Sequence, residues 1–164
     1  MEKGTHHAID VAQALDMPLI IAAKLDNVDL QYFREYIEPR LYNKEIQWIG
    51  EVNEDERNKL MSKAFCLLHP VYFREPFGLT MIEAMACGCP VIAFPKGSIP
   101  EIVINGKNGF IVNDVEEMVE AVEKIVSIDR NVCRQYVLEN FSSKRMTDKY
   151  EDLYYRILSG KVQK

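Results

Sequence analysis

The stretch Arg74–Lys96, REPFGLTMIEAMACGCPVIAFPK, decides how the chain is read. Between Glu75 and Lys96 it holds one charged residue, Glu83, in an otherwise apolar run. Pro76 precedes a predicted helix from about Phe77 to Cys87, whose first turn is Phe77-Gly78-Leu79. Gly88 stops that helix, and PVIAF follows as a predicted strand. Just ahead, FCLLHP is a continuous apolar run of the type buried on both faces of a parallel sheet. The local order is therefore strand, loop, helix, strand.

The same alternation extends in both directions. THHAIDVAQAL and VDLQYFREYIEPRLY carry helical periodicity, the second ending near Pro39. PLIIAA, EIQWIGEV and GFIV read as strands, and SIPEIV as a short helical turn. Asn53 and Asp114 precede helices as N-caps. Two helical segments, about 129–140 and 142–158, close the chain. Strands alternating with helices imply an α/β fold, a Rossmann-like parallel sheet flanked by helices. Its ligands belong beyond the carboxyl ends of the strands.

Bulk properties narrow the function. The 164 residues suffice for one domain, and 48% hydrophobic against 27% charged residues is a soluble globular balance. A net charge of −5 with scattered Lys and Arg argues against a nucleic-acid surface; Lys144-Arg145 reads as a solvated helix face. Four cysteines without a C-x-x-C pair argue against a zinc or redox motif and fit a reducing, cytoplasmic setting. The polar start MEKGTHH does not resemble a signal peptide, and Gly88 and Pro90 interrupt the longest apolar run, so no transmembrane segment is expected.

The chemistry concentrates at the junction HPVYFREPFGLTMIEAMACG. A helix N-terminus presents free amides and a positive dipole end, an anion site. A carboxylate at the edge of an apolar helix face, as at Glu83, is costly unless paired or bonded to a ligand. Glu75 and Glu83, roughly 12 Å apart if the stretch is helical at about 1.5 Å per residue, could grip the ends of a long ligand with an anionic centre. A nucleoside diphosphate sugar has that layout, since carboxylates accept from sugar hydroxyls. Spacing alone leaves a second reading open, with Glu83 a part-exposed helix residue and Glu75 a dipole partner.

Glu75-x7-Glu83 within EPFGLTMIEAMACGCPVIA resembles the E-x7-E signature of retaining GT-B glycosyltransferases, above all glycosyltransferase family 4. KGSIPEIVINGKNGFIV is similar to that family's GG-x-P-E segment, and Glu2-Lys3-Gly4 to the end of its GR-x-x-x-x-KG donor-phosphate motif. The resemblance implies the C-terminal, donor-binding domain of a GT-B enzyme. It further implies that Glu75 bonds the transferred sugar, Glu83 the ribose, and Lys3 the departing diphosphate. Backbone amides of Phe77, Gly78 and Leu79 would meet sugar and phosphate. The loop Ile49–Val52, with Gly50 and Val52, would hold the base. The donor would be UDP-glucose or GDP-mannose, and no metal or other cofactor is expected.

The chain departs from that family in two respects. Its first strand and the motif's arginine are not represented, Met1 stands where proline is common, and no acceptor-binding domain precedes Lys3. Residues 1–164 are therefore expected to form a single donor domain, inactive alone and open to self-association along an unpaired sheet edge. Two other functions fit the same residues: a nucleotide-sugar-binding subunit working with a separate acceptor-binding chain, and a nucleotide-sugar epimerase. His6 and His7 read as surface residues, Arg74 as a loop ion-pair partner of Glu75, Glu101 as a capping residue, Trp48, Tyr154 and Tyr155 as core or surface packing, and His69 as a strand-end hydrogen-bonding residue.

Overall fold

The computed structural model describes residues 2–160; Met1 lies outside them. In chain order the elements are α1 (Thr5–Ala14), β1 (Leu19–Ile21), α2 (Leu30–Tyr32), β2 (Ile46–Trp48), α3 (Glu54–Lys63) and β3 (Leu67–His69). There follow α4 (Leu79–Ala86), β4 (Val91–Ala93), α5 (Ile99–Ile102), β5 (Gly109–Ile111), α6 (Val115–Lys124), α7 (Arg130–Asn140) and α8 (Ser143–Leu158). Every predicted strand is present. The predicted helix ending near Pro39 is instead a broken coil: a 3-10 turn at Asn27–Asp29, α2, a π turn at Phe33–Ile37 and a 3-10 turn at Glu38–Arg40. Proline has no amide to donate and crowds the preceding turn, so regular α-helix does not run through it.

All ladders are parallel, as the α/β reading requires. Leu19 pairs with Ile46 and Ile21 with Trp48. Leu67 pairs with Val91, which pairs in turn with Gly109. The sheet is in two pieces, β1–β2 and β3–β4–β5, with no ladder joining them among the described residues. Central β4 is wholly buried, whereas Leu67 and Leu68 of β3 are only half-buried. The expectation that β3 is covered on both faces fails because β3 is an edge strand, open along one flank.

Helix α1 connects the two pieces. Val11 packs in the larger core with Val71, Met81 and Ile92. Ile9 and Ala12 pack in the smaller one with Ile37 and Ile46. On the far side, α7 ties down two helix ends. Arg130 donates to the carbonyls of Ala64 (2.7 Å) and Ser62 (2.9 Å) at the end of α3, and Arg134 donates to the Ala86 carbonyl at the end of α4. These carbonyls have no partner within their own helices.

The predicted caps are in place. The Asn53 side chain accepts from the Glu56 amide at 3.0 Å, with Glu56 returning the bond, and Asp114 accepts from the Glu117 amide at 2.8 Å. Ser142 starts α8, which buries none of its residues and leaves Met146, Tyr150, Leu153 and Ile157 exposed along one stripe. Arg130→Ala removes two charge-assisted bonds that seal the α3 terminus. It should cost about 1–3 kcal/mol, read as a lower denaturation midpoint at unchanged slope.

Candidate functional site

The loops at the carboxyl ends of β1, β3 and β4 gather beside the start of α1. Two close backbone approaches weld them together. Gly4 has φ 68°, and a Cβ there would lie 2.0 Å from the Pro70 carbonyl oxygen. Gly97, with φ 64°, would put a Cβ 2.3 Å from the Glu75 carbonyl oxygen. Neither position admits a side chain. The Tyr72 amide also donates to the Glu2 carbonyl (2.9 Å), and the Ser98 amide to the Glu75 carbonyl (2.9 Å). Lys3 and Glu75 are thus carried by backbone that cannot drift.

Helix α4 begins later than predicted. Gly78 has φ 84° and caps it from outside, so the helix starts at Leu79 and residues 75–78 form a turn. The helical spacing assumed for Glu75 and Glu83 therefore holds only from Leu79 onward. The amides of Phe77, Gly78 and Leu79 have no hydrogen-bond partner among the described residues. Phe77 and Leu79 project exposed side chains, 49% and 63% accessible, beside them.

Glu83 does not lack a partner. Its Oε1 lies 3.2 Å from a terminal guanidinium nitrogen of Arg57 on α3, and its side chain is 34% exposed. Of the two ways to satisfy this carboxylate, pairing or a ligand, the protein itself supplies the first. Arg57 was hidden in the sequence because NEDERNK reads as an ordinary solvated first turn. Glu75 is more enclosed, with a side chain 13% exposed, and its Oε2 lies 3.7 Å from His69 Nε2. Arg74 is exposed and makes no ion pair with Glu75.

Lys3 is exposed, its Nζ 4.3 Å over the Phe73 ring. Burial pushes the His69 pKa down; Glu75 opposes that shift and Lys3 reinforces it. A cleft of about 130 Å³ opens beside Lys3, lined by Ala23 and Leu25 after β1, Tyr32 and Phe33 from α2 and the π turn, and Trp48 at the end of β2. Gly50 and Val52 lie in the loop after β2, Gly50 with φ 77° and open space where a Cβ would sit.

His6 and His7, read as surface residues, are half-buried in a hydrogen-bonded cluster. His6 Nδ1 meets the Tyr32 hydroxyl at 2.8 Å, and His7 Nε2 meets the Tyr72 hydroxyl at 2.7 Å. Arg40 and His7 both face Asp10, at 2.6 and 3.3 Å. Burial, then the neighbouring His7, lowers the His6 pKa. Trp48 packs edge-on against Phe33 at 5.0 Å, while Tyr154 and Tyr155 are exposed. Burial pushes the Cys66 and Cys89 thiols up to about 12 and Cys133 to about 11. No helix among the described residues is long and apolar enough to cross a membrane.

Both depressed imidazoles make stability depend on pH. Their folded pKa values lie below the ordinary 6.5, so below pH 6.5 the unfolded chain binds protons that the folded chain does not. Their contribution is intact above pH 6.5 and is lost as pH falls through the folded values. Melting temperature should decline on acidification just below pH 6.5, and His69→Phe should flatten that decline.

Residues 1–139 match the family described as glycosyl transferases group 1. The chain is 32% identical over 162 residues to a sucrose synthase of Melioribacter roseus, covering 86% of this chain and 20% of that one. It superposes on Anabaena Alr3699/HepE, solved in complex with UDP and glucose, with a TM-score of 0.79 at 21% identity, covering 94% of this chain and 45% of that one. It also superposes on the C-terminal domain of the group 1 glycosyl transferase LpcC from Francisella tularensis, with a TM-score of 0.66 at 24% identity, covering 91% and 80%. The chain spans less than half the length of the curated relatives it matches. The α/β architecture is that of a GT-B C-terminal domain, and the chain belongs to the group 1 glycosyl transferases.

Proposed function

We propose that this chain is the donor-binding part of a retaining glycosyltransferase of family 4, one that moves a sugar from a nucleoside diphosphate sugar to an acceptor hydroxyl. One observation carries the reading. Unbonded amides at the start of α4 stand between two carboxylates, with a lysine fixed at the adjoining loop. An anion at those amides is favoured by the helix dipole, and Lys3 adds the compensating charge. Hydroxyls on either side then meet acceptors, the sugar at Glu75 and the ribose at the Glu83 oxygen that Arg57 leaves free.

The remaining roles follow from the same layout. The cleft beside Lys3 and Trp48 offers a nucleoside a largely apolar surface at the end of β2, the strand that Gly50 and Val52 follow in sequence. With UDP-glucose or GDP-mannose as donor, the transition state would be oxocarbenium-like, and charge would build on the departing diphosphate. Lys3 and the amides of Phe77, Gly78 and Leu79 would stabilise that charge from fixed positions. The residues assigned here hold a donor, and holding an acceptor in line supplies much of the rate. The acceptor side therefore belongs to a further domain or partner chain, and the 164-residue chain alone would turn over no sugar. The open edges of β1 and β3 offer unpaired backbone to such a partner or to a second copy. Buried, protonated thiols suit a cytoplasmic setting.

Thermal shift against UDP-glucose, GDP-mannose, UDP and GDP tests the reading. A ligand at a hundred times its Kd stabilises the native state by about 2.7 kcal/mol, and a chain that none of the four stabilises is not a donor domain. Two variants separate the carboxylates. Glu83→Gln should weaken sugar nucleotide and bare diphosphate alike, by about 1.5 kcal/mol, the low end for a charge-assisted bond because the residue keeps some solvent exposure. Glu75→Ala should weaken only the sugar nucleotide. Equal losses in the Glu75 variant would assign that residue to general electrostatics instead.

A further inference from the structure

His69 closes β3, opposite Ala93 of β4, and only 10% of its side chain is exposed. Its Nε2 is buried without a hydrogen-bond partner. A buried ring nitrogen left unpaired loses its hydration and gains nothing in return, so such an atom calls for a partner. The acceptor that faces it is Glu75 Oε2 at 3.7 Å, beyond the roughly 2.7–3.2 Å of a hydrogen bond.

The backbone on both sides of this gap is fixed. His69 lies in a ladder, and the Glu75 carbonyl is bonded to Ser98 while Gly97 packs on the Glu75 backbone. Closing the gap therefore falls to rotation of the Glu75 side chain. Bonds at working sites are often long in the empty protein and shorten when ligand is bound. The charged groups facing His69 are Glu75 from its own loop and Lys3 from the start of α1. A neutral imidazole carries one N–H, so its proton must sit on Nε2 to serve Glu75.

We propose that His69 is a positioning residue for Glu75, donating from Nε2 to Oε2 and so presenting Oε1 to the hydroxyls of the transferred sugar. The inference rests on the reading of Glu75 as a sugar contact and extends it to a residue that touches no ligand. His69 acts through the orientation of one carboxylate. Losing it should therefore affect the sugar and spare the diphosphate.

The test has a ligand-free arm and a ligand arm on the 164-residue chain. Long-range nitrogen–proton NMR of the imidazole should show the Nε2–H tautomer for His69; an Nδ1–H tautomer overturns the proposal whatever the chain binds. Titration calorimetry then compares UDP-glucose with UDP and GDP-mannose with GDP. His69→Phe, which keeps ring volume but has no donor, should lose about tenfold in affinity for the sugar nucleotide and nothing for the diphosphate, the effect of one charge-assisted bond. His69→Gln, which keeps a donor near Nε2, should recover most of that loss and still serves if the Phe variant fails to fold. In the Glu75→Ala background, which removes the acceptor, His69→Phe should cost nothing further. Equal losses for sugar nucleotide and diphosphate, or no loss at all, overturn the proposal. A Glu75→Ala variant with wild-type preference for the sugar nucleotide overturns the reading of Glu75 itself, and the sugar-directed part of the proposal with it.

Discussion

The structure depends on the two-sided packing of α1. Among the described residues no hydrogen-bonded ladder connects β1–β2 to β3–β4–β5, so the two sheets hold their relation through packing. Val11 enters one core while Ile9 and Ala12 enter the other, from a single helix of ten residues. Residues one or two apart in a helix point in different directions, as Val11 does from Ala12 and Ile9, whereas Ile9 and Ala12, three apart, share a face, so one short element serves two cores. The same helix begins beside Lys3, so the packing that joins the sheets also sets the height of the lysine over the β3 loop. Fold and site share this one constraint.

A second constraint acts at shorter range. Gly4 on Pro70 and Gly97 on Glu75 bring backbone into contact with backbone where no side chain could intervene. Loops held in this way lose little further freedom when a ligand arrives, which is the condition for preorganised charge stabilisation. Most of the ordering cost is met during folding, by the buried core around Met81, Ile92 and Ile99 beneath the loops.

Much of this was legible in the sequence, for reasons that differ by residue. Apolar runs such as PVIAF announce strands because a parallel sheet buries both faces, and Asn53 and Asp114 announce helix starts because their side chains accept local amides. Glu75, Lys3 and the amides after Pro76 could be singled out as candidates because their motifs are contiguous. The rest depended on contacts distant in sequence. Arg57 meets Glu83 across two helices, and Arg130 reaches Ser62 and Ala64 from α7. His6 and His7 passed for surface residues because Tyr32, Arg40 and Tyr72 come from other elements. The split sheet was equally hidden, since the periodicity of β3 says nothing about whether a neighbour lies along its edge. The start of α4 was misplaced by two residues because Gly78, left-handed, ends the turn that Pro76 opens.

Helix α8 carries sixteen residues without burying one. It is held by the Ser142 cap and by pairs such as Lys144–Asp148, not by a core. An isolated helix of about fifteen residues is marginal in water. The chain therefore lacks a single cooperative melting unit. Its one tryptophan, Trp48, sits in the smaller core against Phe33 and reports that body alone, whereas far-ultraviolet ellipticity also counts α8. Fluorescence and ellipticity should trace different unfolding curves, and a stability derived from either alone under a two-state assumption would describe a different part of the molecule.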